Sequence, residues 1–218
     1  MTKLLTGFIV VGALLVVLGG GARTSTVSHV TAKSGSGSGF TKLYDRTLTR
    51  SSATIDTGPH AIPDRYAVLT VWIIARTDAR AHGDGVSGGT LVPIYVTVNG
   101  DNGPHYDFAY VVQGGYGTFG HGALTAQTSW EMTAHGSGGT DYPAVDRFTI
   151  PDYASTVFGK VGEETTASPN GGAAGDSEVV LKTLGWRGRD AVNRLTVRTG
   201  GKSKLVAGSR LLVYGGAG

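Results

Sequence analysis

Apolar residues along this chain are gathered into short runs rich in β-branched and aromatic side chains, and Gly-rich turn sequences separate the runs. The clearest run is YAVLTVWIIART at residues 66–77. Similar runs predict strands at 90–98, 106–113, 123–134, 146–150, 155–161, 178–184, 193–199 and 204–215, with weaker candidates at 41–48 and 53–57. Short strands with regular turns such as Asn99-Gly100 predict an all-β fold, an antiparallel β-sandwich of the jelly-roll type.

A different pattern occupies the front of the chain, where Leu4 to Ala22 carry no charge. Lys3 and the small residues Gly20-Gly21-Ala22 fit a cleaved signal peptide. A helix of this length would span about 28 Å, which barely crosses a bilayer core. We favour a retained hydrophobic N-terminal helix, held in a membrane or in a groove between other proteins. Its predicted anchor residues are Leu4, Phe8, Ile9, Val10, Val11, Leu14, Leu15, Val16, Val17 and Leu18.

The chain therefore divides into three zones. Residues 1–22 form the predicted anchor or signal peptide, and residues 23–39 are a Ser/Thr/Gly-rich sequence that reads as a flexible linker. Residues 40–218 form the predicted β-sandwich domain.

Composition narrows the class of protein. Glycine accounts for 36 of 218 residues without a collagen-like period, as expected for many tight turns. The chain has no cysteine, so disulfides, thiolate metal sites and cysteine nucleophiles are excluded. The net charge of +3 comes from scattered basic residues, and this pattern does not indicate a nucleic-acid surface.

Two glycine motifs match enzyme signatures without the required context. Residues 85–89, GVSGG, fit the nucleophile elbow G-x-S-x-G around Ser87, but a predicted strand follows instead of a helix. Residues 115–120, GYGTFG, fit G-x-G-x-x-G, but lie between two predicted strands. Both are interpreted as turns, so we predict that the chain is not an enzyme and has no catalytic residues.

The titratable turn residues do not predict a cofactor or metal site. The six histidines lack the close spacing of a compact metal site, although His82, His105, His121 and His135 all fall in predicted turns that could converge. Asp84, Asp101 and Asp107 lack the full calcium-loop signature and are explained by Asx turns.

Aromatic side chains in turns are the best binding candidates. Exposed rings there can stack on sugar faces or on partner side chains, whereas the competing interpretation is that they plug the ends of the sandwich. The candidates are Tyr116, Phe119, Tyr142 and Trp186. In contrast, Trp72, Tyr95, Phe108 and Phe148 lie within strand patterns and are predicted to be core residues.

Five stretches occur in an order that resembles a group of tailed-bacteriophage virion proteins. They are IDTGPHAIPDRYAVLTVWIIARTD (55–78), VNGDNGPHYDFAYV (98–111), FTIPDYASTVFGKV (148–161), GWRGRDAVNRLTV (185–197) and LVAGSRLLVYG (205–215). The resemblance covers about residues 40–216 and implies a structural, tail-fibre or head-decoration component of the particle. It supplies no catalytic residues, and residues 1–39 depart from the pattern.

The expected function is that of a virion structural protein displayed on the particle surface as a spike, fibre or capsid decoration. Its expected partners are other virion proteins, further copies of itself as a homo-oligomer (a trimer by analogy), a host-surface glycan, and a membrane through residues 4–22, but no nucleic acid. The alternative is a secreted or membrane-tethered lectin-like carbohydrate-binding module. A third hypothesis, which the residues favour least, is an esterase or glycosidase with a loop site.

Overall fold

A computed structural model describes residues 39–78, 92–114, 119–132, 143–168 and 178–217, and these residues form an all-β fold. The twelve strands are β1 (Phe40–Thr47), β2 (Thr54–Asp56), β3 (Val68–Ala75), β4 (Ile94–Val98), β5 (Tyr106–Gly114), β6 (Phe119–Gln127), β7 (Trp130–Met132), β8 (Ala144–Pro151), β9 (Lys160–Ser168), β10 (Glu178–Trp186), β11 (Leu195–Thr199) and β12 (Arg210–Gly216). The predicted anchor at 1–22 and nearly all of the predicted linker lie outside the described residues.

The strands form two antiparallel sheets. The large sheet has eight strands in the order β1-β12-β3-β8-β9-β10-β5-β6, and the small sheet has four in the order β2-β11-β4-β7. Every strand pair among the described residues is antiparallel. The predicted all-β, antiparallel fold is therefore confirmed.

Alternation of side chains fixes which face of each strand is buried. In β3, Leu69, Val71 and Ile73 are fully buried, whereas the intervening Trp72 is only half-buried. Since successive side chains in a strand point to opposite faces, the first set faces the small sheet and Trp72 lies on the outer face.

The core lies between the sheets and is dominated by aromatic rings. Trp130 of the small sheet meets Tyr106 and Phe148 of the large sheet edge to face, with ring centroids 5.6 and 6.0 Å apart. The Trp130 indole Nε1–H also donates to the backbone oxygen of Gly185, 2.8 Å away. These contacts, each worth about 1 kcal/mol beyond burial, join the sheets.

The turn at Asn99-Gly100 is confirmed. Both residues have positive φ, 54° and 73°, as expected for a tight Asn-Gly turn, which here joins β4 of the small sheet to β5 of the large sheet. The Asn99 side chain also accepts hydrogen bonds from the backbone N–H groups of Asn193 and Arg194. The turn thus secures the chain segment that enters β11.

Three predicted elements need correction. The predicted strand at 123–134 is two strands, β6 and β7, which belong to different sheets. Ala126, near the end of β6, has a positive φ. The predicted strand at 155–161 starts too early, since β9 begins at Lys160. It also ends too early, because the continuation of β9, GEETTAS, is mostly polar and gives no apolar pattern to read. Two of the four predicted core aromatics, Trp72 and Tyr95, are half-buried on outer sheet faces.

Candidate functional site

The outer face of the large sheet is the candidate functional surface. The register between its strands places the outward side chains in rows that run across the sheet. One row runs through Trp72 of β3, Arg147 of β8, Thr165 of β9, Leu181 of β10 and Val111 of β5. Directly opposed residues have Cβ atoms about 5 Å apart, so neighbours in a row contact one another.

Strands β9, β10, β5 and β6 carry an apolar half of this surface, which we call the apolar face. Its large side chains are Val111, Phe119, Val161, Val179 and Leu181, which are 39, 67, 60, 52 and 53% exposed. The small side chains Ala109, Ala123 and Ala167 lie between them and are also exposed. Contiguous exposed apolar surface of this kind is typical of interaction sites.

The apolar face is nearly free of charge. Among the described outward positions of these four strands, Glu163 of β9 and Asp107 of β5 are ionisable acids, and Asp107 is paired with Arg187 by two hydrogen bonds of 2.9 and 2.7 Å. Four strands ~4.8 Å apart and about seven residues long cover roughly 400 Å². That is about half of the ~800 Å² that each partner buries in a typical stable interface.

Strands β1, β12, β3 and β8 carry a depression of about 460 Å³, which we call the aromatic groove. Small side chains form its floor, since Thr70 lies directly opposite Thr149. Larger side chains surround them: Trp72, Arg147, Tyr214 and Phe40. Tyr214 is paired with Thr70 across β12 and β3, so threonines flanked by rings on neighbouring strands produce the concave shape.

Phe40 reaches the groove because Gly216 opposite it has no side chain. A Cβ at Gly216 would lie 2.8 Å from the Phe40 ring, closer than real contacts allow. The ring is 65% exposed and forms the open edge of the groove.

Arg147 gives the groove its charge. Its guanidinium carbon lies 5.6 Å from the Trp72 ring centroid, a cation–π contact across the β3–β8 pair. No described carboxylate forms an ion pair with Arg147, whereas the nearby Arg210 is paired with Asp45 at 2.7 Å. Arg210 and Lys42 hold the pKa of Asp45 well below its usual range. Arg147 is therefore the arginine of this region that remains available to an anion.

The floor of the groove holds a hydroxyl without a partner. Thr70 is buried, and no described residue forms a hydrogen bond with its Oγ1. A buried hydroxyl left unpaired costs about 1–3 kcal/mol, which a ligand atom or a water could recover after rotation of the side chain.

The four aromatic residues predicted from the sequence are not brought together. Phe119 begins β6 and is exposed, with its ring centroid 6.4 Å from that of His121. Tyr116 and Tyr142 lie outside the described residues. Trp186 is buried, so it is not an exposed ring and cannot offer its face to a ligand.

Trp186 instead organises the end of the large sheet. Its Nε1–H donates to Asp101 Oδ2 at 2.8 Å, and the same oxygen lies 2.8 Å from His105 Nδ1. Gly103 N–H donates to Asp101 Oδ1, which forms the Asx turn predicted for this aspartate. Burial alone would raise the pKa of Asp101, but the bonds from Trp186, Gly103 and His105 outweigh it and hold that pKa below its usual value.

A second polar cluster lies between the sheets. The Thr166 hydroxyl contacts Asp146 Oδ1 at 2.6 Å and Glu164 Oε1 at 2.8 Å, and Lys182 Nζ lies 3.7 Å from Glu164 Oε2. Lys182 also donates to the backbone oxygen of Glu131 in the small sheet. Because these side chains are buried, the cluster links the two sheets and is not open to a ligand.

The described residues contain no group of three or more histidine, aspartate or glutamate side chains that could hold a metal ion. Within the same part of the chain there is also no helix long and apolar enough to cross a membrane. Ser87 lies outside the described residues. Residues 115–118 of the glycine motif lie outside the described residues, and Phe119 and Gly120 belong to β6, which pairs with β5.

Sequence reasoning missed the groove residues Phe40, Arg147 and Tyr214, and placed Trp72 in the core. The signal available in the sequence was the alternation of side chains between the two faces of a strand. Trp72 alternates with the apolar residues Val71 and Ile73, but a run that is apolar at every position does not reveal which set faces outward.

No protein-family model, no curated protein and no solved structure matches this chain.

Proposed function

We propose that this chain is a structural protein of a bacteriophage virion, displayed on the particle surface and fixed there by its N-terminal apolar segment. The observation that carries the proposal is the apolar face of β9, β10, β5 and β6. An exposed apolar face of this kind often marks an interaction site, and a subunit of an assembly can bury it against its neighbour. The ordered sequence motifs shared with tailed-phage virion proteins support the same function.

We propose that a second copy of this chain covers the apolar face. The face is nearly uncharged, so pairing it with another copy brings no strong like charges together, although the chain has a net charge of +3. The area of the apolar face is roughly half of what each partner buries in a typical stable interface. The unpaired edge of β6 can supply further contacts. The trimer expected by analogy with other viral sandwiches would instead require the apolar face to contact a different surface of the next copy.

The jelly-roll assignment also belongs to this proposal. In the large sheet β12 lies between β1 and β3, and β10 lies between β9 and β5. Strand neighbours distant in sequence are typical of the Greek-key connections from which jelly rolls are built.

Mass spectrometry of purified virions tests the function directly. We expect the chain in particles at a fixed stoichiometry, with its first residue upstream of Leu4 if the apolar segment is retained. Absence of the chain from purified particles would overturn the proposal. A mature terminus near Arg23 would contradict the anchor alone.

The alternative function is a secreted or membrane-tethered glycan-binding module, and the aromatic groove favours it. Glycan binding by the purified chain without any particle association would support this alternative over the virion proposal.

A further inference from the structure

We propose that the aromatic groove binds a sugar residue that carries a carboxylate, as one unit of an acidic surface polysaccharide. This deepens the proposed function, because it names the ligand class of a surface-displayed domain. Its test uses the purified chain, so failure of binding and absence from virions are separate results.

The shape of the groove favours a polymer over a small free molecule. Pockets for small molecules enclose most of the ligand surface. This groove is an open depression on the outer face of the large sheet, with Phe40 exposed at its edge and threonines as its floor. A site of this form suits one unit of a chain that continues past both ends.

The rings and hydroxyls favour a sugar. Trp72, Tyr214 and Phe40 offer apolar surfaces against which the C–H face of a pyranose can pack. Thr70 and Thr149 lie between the rings and supply hydroxyls that can exchange hydrogen bonds with sugar hydroxyls. The unpaired Oγ1 of Thr70 gains a partner in such a complex.

Arg147 favours a sugar that carries a carboxylate over a neutral sugar. Its guanidinium is stacked by Trp72 and has no described carboxylate partner. Such a group is pre-organised to donate two parallel hydrogen bonds to one carboxylate. A neutral sugar would leave this charge unused.

Glu163 provides a second test of whether the ligand carries a negative charge. It lies opposite Thr149, and is therefore the diagonal neighbour of Arg147 at about 7–8 Å, with no recorded ion pair to it. Its carboxylate repels an anionic ligand and has little effect on a neutral one. The position therefore predicts that removal of a negative charge strengthens binding only to acids.

The test measures calorimetric binding of the full chain to short oligomers of galacturonate, glucuronate and mannuronate and to sialyllactose, each beside its methyl ester. The ester keeps the ring and removes the charge. We expect at least one acid to bind roughly tenfold more tightly than its ester, with affinity that falls as salt rises.

Variants separate the groove from general basicity. Arg147→Gln should weaken acid binding roughly 10- to 100-fold and weaken ester binding much less, so that the preference for acid over ester falls. Glu163→Gln should strengthen acid binding about two- to fivefold. The matched control is Arg198→Gln, since Arg198 lies 4.7 Å over the Tyr95 ring in the small sheet, outside the groove.

Several results would overturn the inference: no binding to any acid of the panel, equal affinity for acid and ester, or equal losses in Arg147→Gln and Arg198→Gln. If Arg147→Gln does not fold, as judged by thermal unfolding, the Glu163→Gln variant decides, because it alters an exposed side chain. Unchanged acid binding in Glu163→Gln would then refute the proposed position of the carboxylate.

Discussion

The double substitution Val179→Thr/Leu181→Thr should weaken self-association while leaving the fold intact. Both side chains lie on the outer face of β10 and are about half exposed, at 52 and 53%. Threonine has high strand propensity, so the strand itself tolerates the change. The substitution therefore removes apolar surface where only a partner could bury it.

The magnitude follows from the area still exposed. Full burial of a valine or leucine side chain contributes about 1.5–3 kcal/mol, and roughly half remains to be buried in each, so the pair offers about 1.5–3 kcal/mol per covered face. Threonine keeps one methyl group, so we expect the lower part of this range. A dimer that pairs this face with the same face of another copy buries two such faces, so the total loss is about 3–4 kcal/mol. At ~1.4 kcal/mol per tenfold, the dissociation constant should rise roughly 100- to 1,000-fold.

Sedimentation velocity over a range of concentrations measures the effect. The matched control is Val157→Thr, because Val157 is 64% exposed but precedes β9 and lies outside the apolar face. Thermal unfolding of the monomer should differ little between the variants. An unchanged oligomer in the double variant, or the same weakening in the control, would refute the reasoning.

Three further predictions concern the scaffold. Arg194 holds the pKa of Asp56 below its usual value of 3.8, so Asp56 stabilises the fold fully above pH 3.8 and this contribution is lost as pH falls through the lower folded pKa. Asp56→Asn should therefore make the free energy of unfolding depend less on pH in the acid range, as measured by urea unfolding followed by circular dichroism. An unchanged pH dependence would contradict the pairing. Trp186→Phe removes the indole donor to Asp101 and should cost about 2–4 kcal/mol of unfolding free energy in chemical denaturation, whereas a loss below ~1 kcal/mol would show that the bond contributes little. Gly188→Ala places a Cβ 2.2 Å from the Trp186 ring and should cost about 1–3 kcal/mol with a shift in tryptophan fluorescence; normal stability and fluorescence would show that the ring moves freely.

The fold was largely predictable because strand formation is a local signal. Most predicted runs coincide with strands, and the turn chemistry of Asn99-Gly100 produced the expected positive φ. The failures have specific causes. The run at 123–134 is continuous in sequence, but the chain changes sheets between Gln127 and Trp130, and that crossing depends on pairing with distant strands.

The candidate site was much less predictable. Trp186 follows an apolar strand and precedes a turn, so its sequence context fits an exposed ring and a buried one equally well. The structure shows it buried, with its indole N–H donating a hydrogen bond to Asp101, which lies 85 residues earlier in the chain. In the same way Trp72 reads as a core residue until the register of β3 is known.

The sequence by itself determined that this is a cysteine-free, antiparallel all-β domain whose strands are joined by glycine-rich turns, because backbone preference and side-chain branching act between near neighbours. The tertiary structure alone decided which face of each strand points outward and which strands lie side by side. The apolar face and the aromatic groove both arise from that arrangement. Each is built by strands that are distant in sequence, and a one-residue shift in register would turn Arg147 and Leu181 into the core.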